Sequence, residues 1–262
     1  MTKRILLTIL LQFALLSTVL SQSLTVTEEG NITAETERYT AKFENGILLH
    51  LHNKLTNETY TNEDTPKGVF QNEYKTAFFG FTEDSVYPLG HTPTIKRNSN
   101  TDIEVEYENE NGLRLNLSIK IDPNTNDLLI QQTGFAPKEG AYEITWTHKH
   151  LSHNKVDLII PGTGGVILNN LSPQQTAYEY PGSWEAQLAI LQGEKGGCFI
   201  RSQDTEFKFK KLEYERHQDA FTISLTTTQF APFIEKQEII SNIWRLNTYE
   251  GNWEIPALIH RN

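Results

Sequence analysis

The feature that most constrains this chain is a strict two-residue alternation on both sides of Asn111-Gly112. Ile103, Val105 and Tyr107 alternate with Asp102, Glu104 and Glu106. After the turn, Leu113, Leu115, Leu117, Ile119 and Ile121 alternate with Arg114, Asn116, Ser118 and Lys120. Successive side chains of a strand point to opposite faces, so this spacing predicts a hairpin with one wet face and one buried face. A helix of this sequence would scatter its apolar residues around its whole circumference.

The pattern recurs along the chain. RYTAKFENGILLHLHN places two runs around Asn45-Gly46 and predicts a second hairpin. DLLIQQTGF, YEITWTHKH, KVDLIIP, CFIRSQ, EFKFKKLEYE and AFTISLTTTQF are further candidate strands, rich in β-branched and aromatic residues. Turn clusters such as DPNTND and PGTGG separate many of them. SPQQTAYEY and the end of the chain are the places expected to hold short helical turns. No linker or repeat divides the sequence. The expected fold is therefore all-β, a large two-sheet antiparallel β-sandwich formed by residues 22–262 as one domain.

Residues 1–21 have a different composition. Lys3 and Arg4 precede an apolar run from Ile5 to Leu20, and Val19 and Ser21 suit the small-residue positions before a cleavage point. This is the three-part pattern of a cleaved secretory signal, and it predicts a secreted or periplasmic protein with no membrane span in its mature form. Removing Lys3 and Arg4 from the 23 basic side chains leaves 21 against 33 acidic ones, a net −12. That balance argues against nucleic acid and anionic membrane as partners. The single cysteine, Cys198, excludes an internal disulfide and reads as a small buried hydrophobe.

No residue is assigned to catalysis. Glycoside hydrolysis needs two carboxylates facing each other across a cleft, and most acids here sit at alternating polar positions of a solvated sheet face. His148, His150 and His153, and likewise His50 and His52, read as a strand end followed by a polar loop rather than a metal site, since no second cluster of acids or histidines is paired with them. Pro161-Gly162-Thr163-Gly164-Gly165 lacks the Lys-Ser/Thr ending of a phosphate loop and reads as a turn. Neither metal nor cofactor is expected. Tyr178, Tyr180 and Trp184 cluster in a predicted loop, and Trp253 lies near the C-terminus. With Asp204, these are the candidate carbohydrate contacts, because an aromatic face stacks on a pyranose while a carboxylate bonds its hydroxyls.

Several phrases resemble the β-supersandwich (galactose mutarotase-like) domain that precedes the catalytic barrel in secreted glycoside hydrolases of the α-galactosidase and endo-α-N-acetylgalactosaminidase type. They are the opening hairpin from Arg38 to Glu58; Tyr180-Pro181-Gly182-Ser183-Trp184; Gly196-Gly197-Cys198-Phe199-Ile200 followed by Asp204; and Trp244-Arg245-Leu246 with Tyr249-Glu250-Gly251-Asn252-Trp253. In such enzymes the last phrase hands the chain to a (β/α)8 barrel, which needs roughly 200 residues or more and carries the active site. Those residues are not among the 262 given, so the family's nucleophile and acid/base have no positions here. The resemblance implies a non-catalytic front domain that packs against a barrel and is not an enzyme by itself. A stand-alone exported carbohydrate-binding protein is the alternative. A mutarotase-like epimerase comes third, because the phrases around His91, His148 and His150 do not resemble mutarotase histidine motifs.

Overall fold

The computed structural model describes residues 22–62, 78–81, 93–108, 111–162 and 164–261. The proposed signal segment, His91 and Thr163 lie outside the described residues. In chain order the elements are β1 (Ser23–Val26), β2 (Ile32–Glu35), β3 (Tyr39–Glu44), β4 (Ile47–Asn53), β5 (Glu58–Thr59), β6 (Phe78–Phe81), β7 (Thr94–Ser99), β8 (Asp102–Glu108), β9 (Arg114–Ile121) and β10 (Leu128–Ala136). They continue with β11 (Ala141–Ser152), β12 (Asp157–Ile160), β13 (Val166–Leu168), β14 (Gln175–Tyr180), β15 (Leu188–Gln192), β16 (Gly196–Gln203), β17 (Lys210–His217), β18 (Ala220–Thr228), β19 (Gln237–Ile240), β20 (Ile243–Glu250) and the helix α1 (Glu254–Arg261).

Two sheets result. The first runs β1-β2-β3-β4-β11-β18-β17-β14, with β5 beside β4 and β6 beside β11. The second runs β13-β12-β15-β16-β20-β10-β9-β8-β7, with β19 beside β10. Among the described residues pairing is antiparallel except where β4 meets β11 in parallel. This is the expected two-sheet sandwich.

Both predicted hairpins form. β8 and β9 bury Ile103, Val105, Tyr107, Leu115, Leu117 and Ile119 and turn their polar residues outward. At the β3–β4 turn Asn45 and Gly46 both have positive φ, 48° and 76°, as the tight turn that follows the sheet's twist demands. One apolar cluster fills the space between the sheets. Trp184 and Trp244 stack within it at 6.3 Å and 16°, and the Trp184 Nε1–H donates to the Leu188 carbonyl at 3.0 Å. Cys198 is fully buried there, and burial pushes its thiol far up, out of the reactive range.

One expectation needs correction. The stretch read as loop or helical turn, around Tyr178 and Tyr180, is the edge strand β14, paired along its length with β17. Thr176, Tyr178 and Tyr180 turn partly inward while Gln175, Ala177 and Glu179 face solvent. The alternation was present, but its inward members are hydroxyl-bearing and its outward ones include alanine, which blurs the apolar–polar contrast.

Candidate functional site

Strand β14 places Tyr180 directly opposite Lys210 of β17. The Lys210 ammonium sits 4.2 Å from the centre of the Tyr180 ring and donates to Asp204 Oδ2 at 2.6 Å. Both side chains of this ion pair are almost completely buried, at 0 and 2 % exposed. Burial pushes the Asp204 carboxyl up, but the Lys210 hydrogen bond, the backbone N–H groups of Glu206 and Lys208 and the lysine's charge outweigh it, and the acid ends below its ordinary value. Two of the residues singled out in the sequence, Tyr180 and Asp204, are thus joined through a third that was not. Tyr178 lies two residues back on the same face of β14, half-buried. Trp184 follows β14 closely, but its indole is 1 % exposed and belongs to the core, with no free face.

Trp253 stands apart from this group. It precedes α1, which rests on β15 and β20 of the second sheet. Pro256 is buried, and Ala257 and His260 are half-buried. The outward face carries Ile255, Leu258 and Ile259, 42, 47 and 39 % exposed, beside Trp253 at 47 %. Residues 255, 258 and 259 are spaced i, i+3, i+4, the stripe that a helix of a folded protein normally turns inward. Here it faces solvent. Trp244 and Tyr249, on the strand leading to the helix, are buried instead. Arg201 helps hold the helix: one guanidinium nitrogen donates to Asp127 at 3.1 Å, and another lies 3.5 Å from the Ile259 carbonyl. Asp127 is fixed in turn by Arg245 at 2.7 Å and by the Asn247 amide at 2.6 Å.

The outer face of the first sheet is a second feature that the sequence did not single out. Thr145, Thr147, Thr222 and Thr226 lie on it, yet all are buried, at 0–7 % exposed. The Thr145 and Thr226 hydroxyls are 2.8 Å apart. At its end Lys211 lies between two acids, 3.4 Å from Glu143 and 3.5 Å from Glu213. Burial raises the Glu143 carboxyl, and Lys211 offsets part of that rise. The available signal was the run of threonines at every second position of YEITWTHKH and AFTISLTTTQF, which reads equally well as an ordinary solvated face.

His50 and His52 lie on β4, His148 and His150 on β11, and His153 in the turn that follows β11. His148 is fully buried, and His153 meets the Tyr214 hydroxyl at 2.6 Å and stacks on Phe221 at 4.2 Å. Among the described residues no group of three or more His, Cys, Asp or Glu is arranged to hold a metal ion, and no helix is long and apolar enough to cross a membrane.

No family model matches the sequence, and no curated protein does. Solved structures do match. A galactose mutarotase-like protein from Lactobacillus casei aligns at a TM-score of 0.57 and 12% identity, over 84% of this chain and 100% of that one. An α-galactosidase from Geobacillus stearothermophilus aligns at 0.55 and 9% identity, over 88% of this chain and 41% of that one. An α-N-acetylgalactosaminidase from Bifidobacterium bifidum aligns at 0.53 and 10% identity, over 86% and 36%. At these identities the likeness is one of fold: the chain shares the two-sheet sandwich fold of the galactose mutarotase-like protein, and that fold also matches part of the longer α-galactosidase and α-N-acetylgalactosaminidase chains.

Proposed function

We propose that this chain is the non-catalytic N-terminal domain of a secreted glycoside hydrolase, and that it packs against and supports a catalytic (β/α)8 barrel. The observation that carries this reading is the outward apolar stripe of α1 with Trp253 beside it. Such a stripe exposed to water is the mark of a contact surface, since each large apolar side chain gains about 1.5–3 kcal/mol when fully buried. The barrel is the favoured occupant because the matching α-galactosidase and α-N-acetylgalactosaminidase chains are more than twice as long as the region shared with this one.

The test begins with the reading frame that follows codon 262. It is expected to encode a barrel with paired acidic residues. That barrel, produced separately, should bind the full chain one to one, and Leu258→Glu should weaken the complex at least tenfold, a loss of about 1.4 kcal/mol. A frame without a barrel, or a barrel indifferent to the chain, would sink the proposal.

A second reading has one observation in its favour. The Lactobacillus casei protein is matched over its whole length, so the same fold also stands alone. On that reading the chain is an exported carbohydrate-binding protein, and the purified chain should bind glycans with no second domain present.

A further inference from the structure

Strand β18 belongs to the first sheet and β19 to the second, and the chain crosses between them through residues 229–236. A cleft of about 320 Å³ opens at this crossing. Thr228, Gln229 and Phe230 line one part of it, Glu238 and Ile240 another, and Lys208 comes from the segment that leads into β17.

Its walls are tied down. The Thr228 N–H donates to the Phe209 carbonyl at 2.9 Å, and the Gln229 N–H to the Tyr142 carbonyl at 2.7 Å. Farther along, Phe233 packs on the Tyr142 ring at 6.1 Å, and its carbonyl accepts the Gly140 N–H at 3.0 Å. The opposite wall is held by β10, which pairs with β19 from Thr133 to Ala136. Phe230 is therefore carried on a loop anchored on either side of it, yet its own ring is 69 % exposed. Ile240, at 45 %, gives the cleft a second apolar surface.

The polar groups narrow the choice of ligand. One cation, Lys208, and one anion, Glu238, cancel each other, and Gln229 and Thr228 add an amide and a hydroxyl. Lys208 also lies 3.3 Å from Glu206. A phosphate or carboxylate would meet a carboxylate here, and a purely apolar ligand would strand the polar groups. An uncharged ring with one apolar face and several hydroxyls satisfies both kinds of surface. The volume lies at the small end for ligand pockets and suits a short sugar unit.

We propose that this cleft binds a pyranose unit of a neutral glycan, with Phe230 stacked on the apolar face of the sugar and Lys208, Glu238 and Gln229 bonding its hydroxyls. The site is separate from the α1 surface and does not depend on a barrel docking there.

The test is an NMR titration of the full chain with the methyl pyranosides of glucose, galactose and N-acetylgalactosamine. At least one is expected to saturate with a dissociation constant on the order of 1 mM, as suits a ligand of about a dozen heavy atoms. The shifted resonances should fall in residues 227–230 and 238–240. Phe230→Ala should weaken binding at least tenfold, and Lys208→Met and Glu238→Gln several-fold each. Leu258→Glu should leave it unchanged, which separates this site from the docking surface. Absence of saturation with all three sugars, shifts confined to other residues, or equal affinity in Phe230→Ala would overturn the assignment.

Discussion

Trp184 and Trp253 show how differently two similar residues are used. Trp184 stacks on Trp244 with its N–H satisfied, whereas Trp253 lies half in solvent. Trp184→Ala is expected to cost about 3–5 kcal/mol, the usual cost of removing a large core aromatic, while Trp253→Ala stays within about 0.5 kcal/mol. Urea unfolding followed by far-UV circular dichroism measures both, and equal midpoints would refute this placement. The Asp204–Lys210 pair permits a sharper test. Asp204→Ala leaves a buried ammonium with, among the described residues, the Tyr180 ring as its remaining partner, which should cost about 3–5 kcal/mol. Replacing both residues, as Asp204→Ala with Lys210→Met, should recover most of that loss. If the double variant is no more stable than the single one, the cost does not come from the stranded charge. Asp204 could be picked out from its phrase, but Lys210 could not. Its inward orientation follows from the phase of Lys210, Leu212 and Tyr214 on β17, and the out-of-phase Phe207, 69 % exposed, conceals that phase.

Elements were most legible where alternation is strict and the turn residues are specific. The β8–β9 hairpin meets both conditions; β3–β4 has the specific turn, Asn45-Gly46, but its alternation is broken by a register shift between Lys42 and Phe43, and both hairpins formed as expected. β14 meets neither, because its inward residues are polar enough to read as a turn. The order of strands within the sheets was not legible, since a strand's faces do not name its neighbours. The parallel meeting of β4 with β11 is an example. Nor was the outward stripe of α1, because a moment shows that a helix has two faces but not which one is covered. Gly196-Gly197 acquires its physical reason only in the sheet. A Cβ on Gly197 would run into the Leu191 carbonyl on β15 and the Tyr249 ring on β20. Gly197→Ala should therefore destabilise by about 1–3 kcal/mol through overpacking between three strands. Its denaturation midpoint should fall clearly below that of an alanine placed at the open position Gly164, even though Gly164 has positive φ and Gly197 does not. Equal midpoints would mean that the strands part without cost.

For the whole molecule the buried histidines set the response to acid. Burial, with the nearby charges of His150 and His50, lowers His148 to about 3, and neither of its ring nitrogens has a hydrogen-bond partner among the described residues. Burial and the Arg216 charge lower His153 to about 4, and burial with Arg201 lowers His260 as well. An unfolded histidine takes up its proton near pH 6.5. Below that pH the unfolded chain binds protons that the folded chain refuses, so stability is greatest above pH 6.5 and falls as pH drops toward the folded values. For His148 the slope approaches about 1.4 kcal/mol per pH unit in that window. Glu143 and Asp157, raised by burial, act in the opposite sense. His148→Leu removes the largest of these shifts along with two unpaired nitrogens, so it should leave stability at pH 7 unchanged or slightly higher and flatten the acid limb. Unfolding free energies of the parent and the variant across pH 8 to 4 decide the matter: curves that converge at neutral pH and separate below 6.5 support the histidine account, and parallel curves would exclude His148 from it.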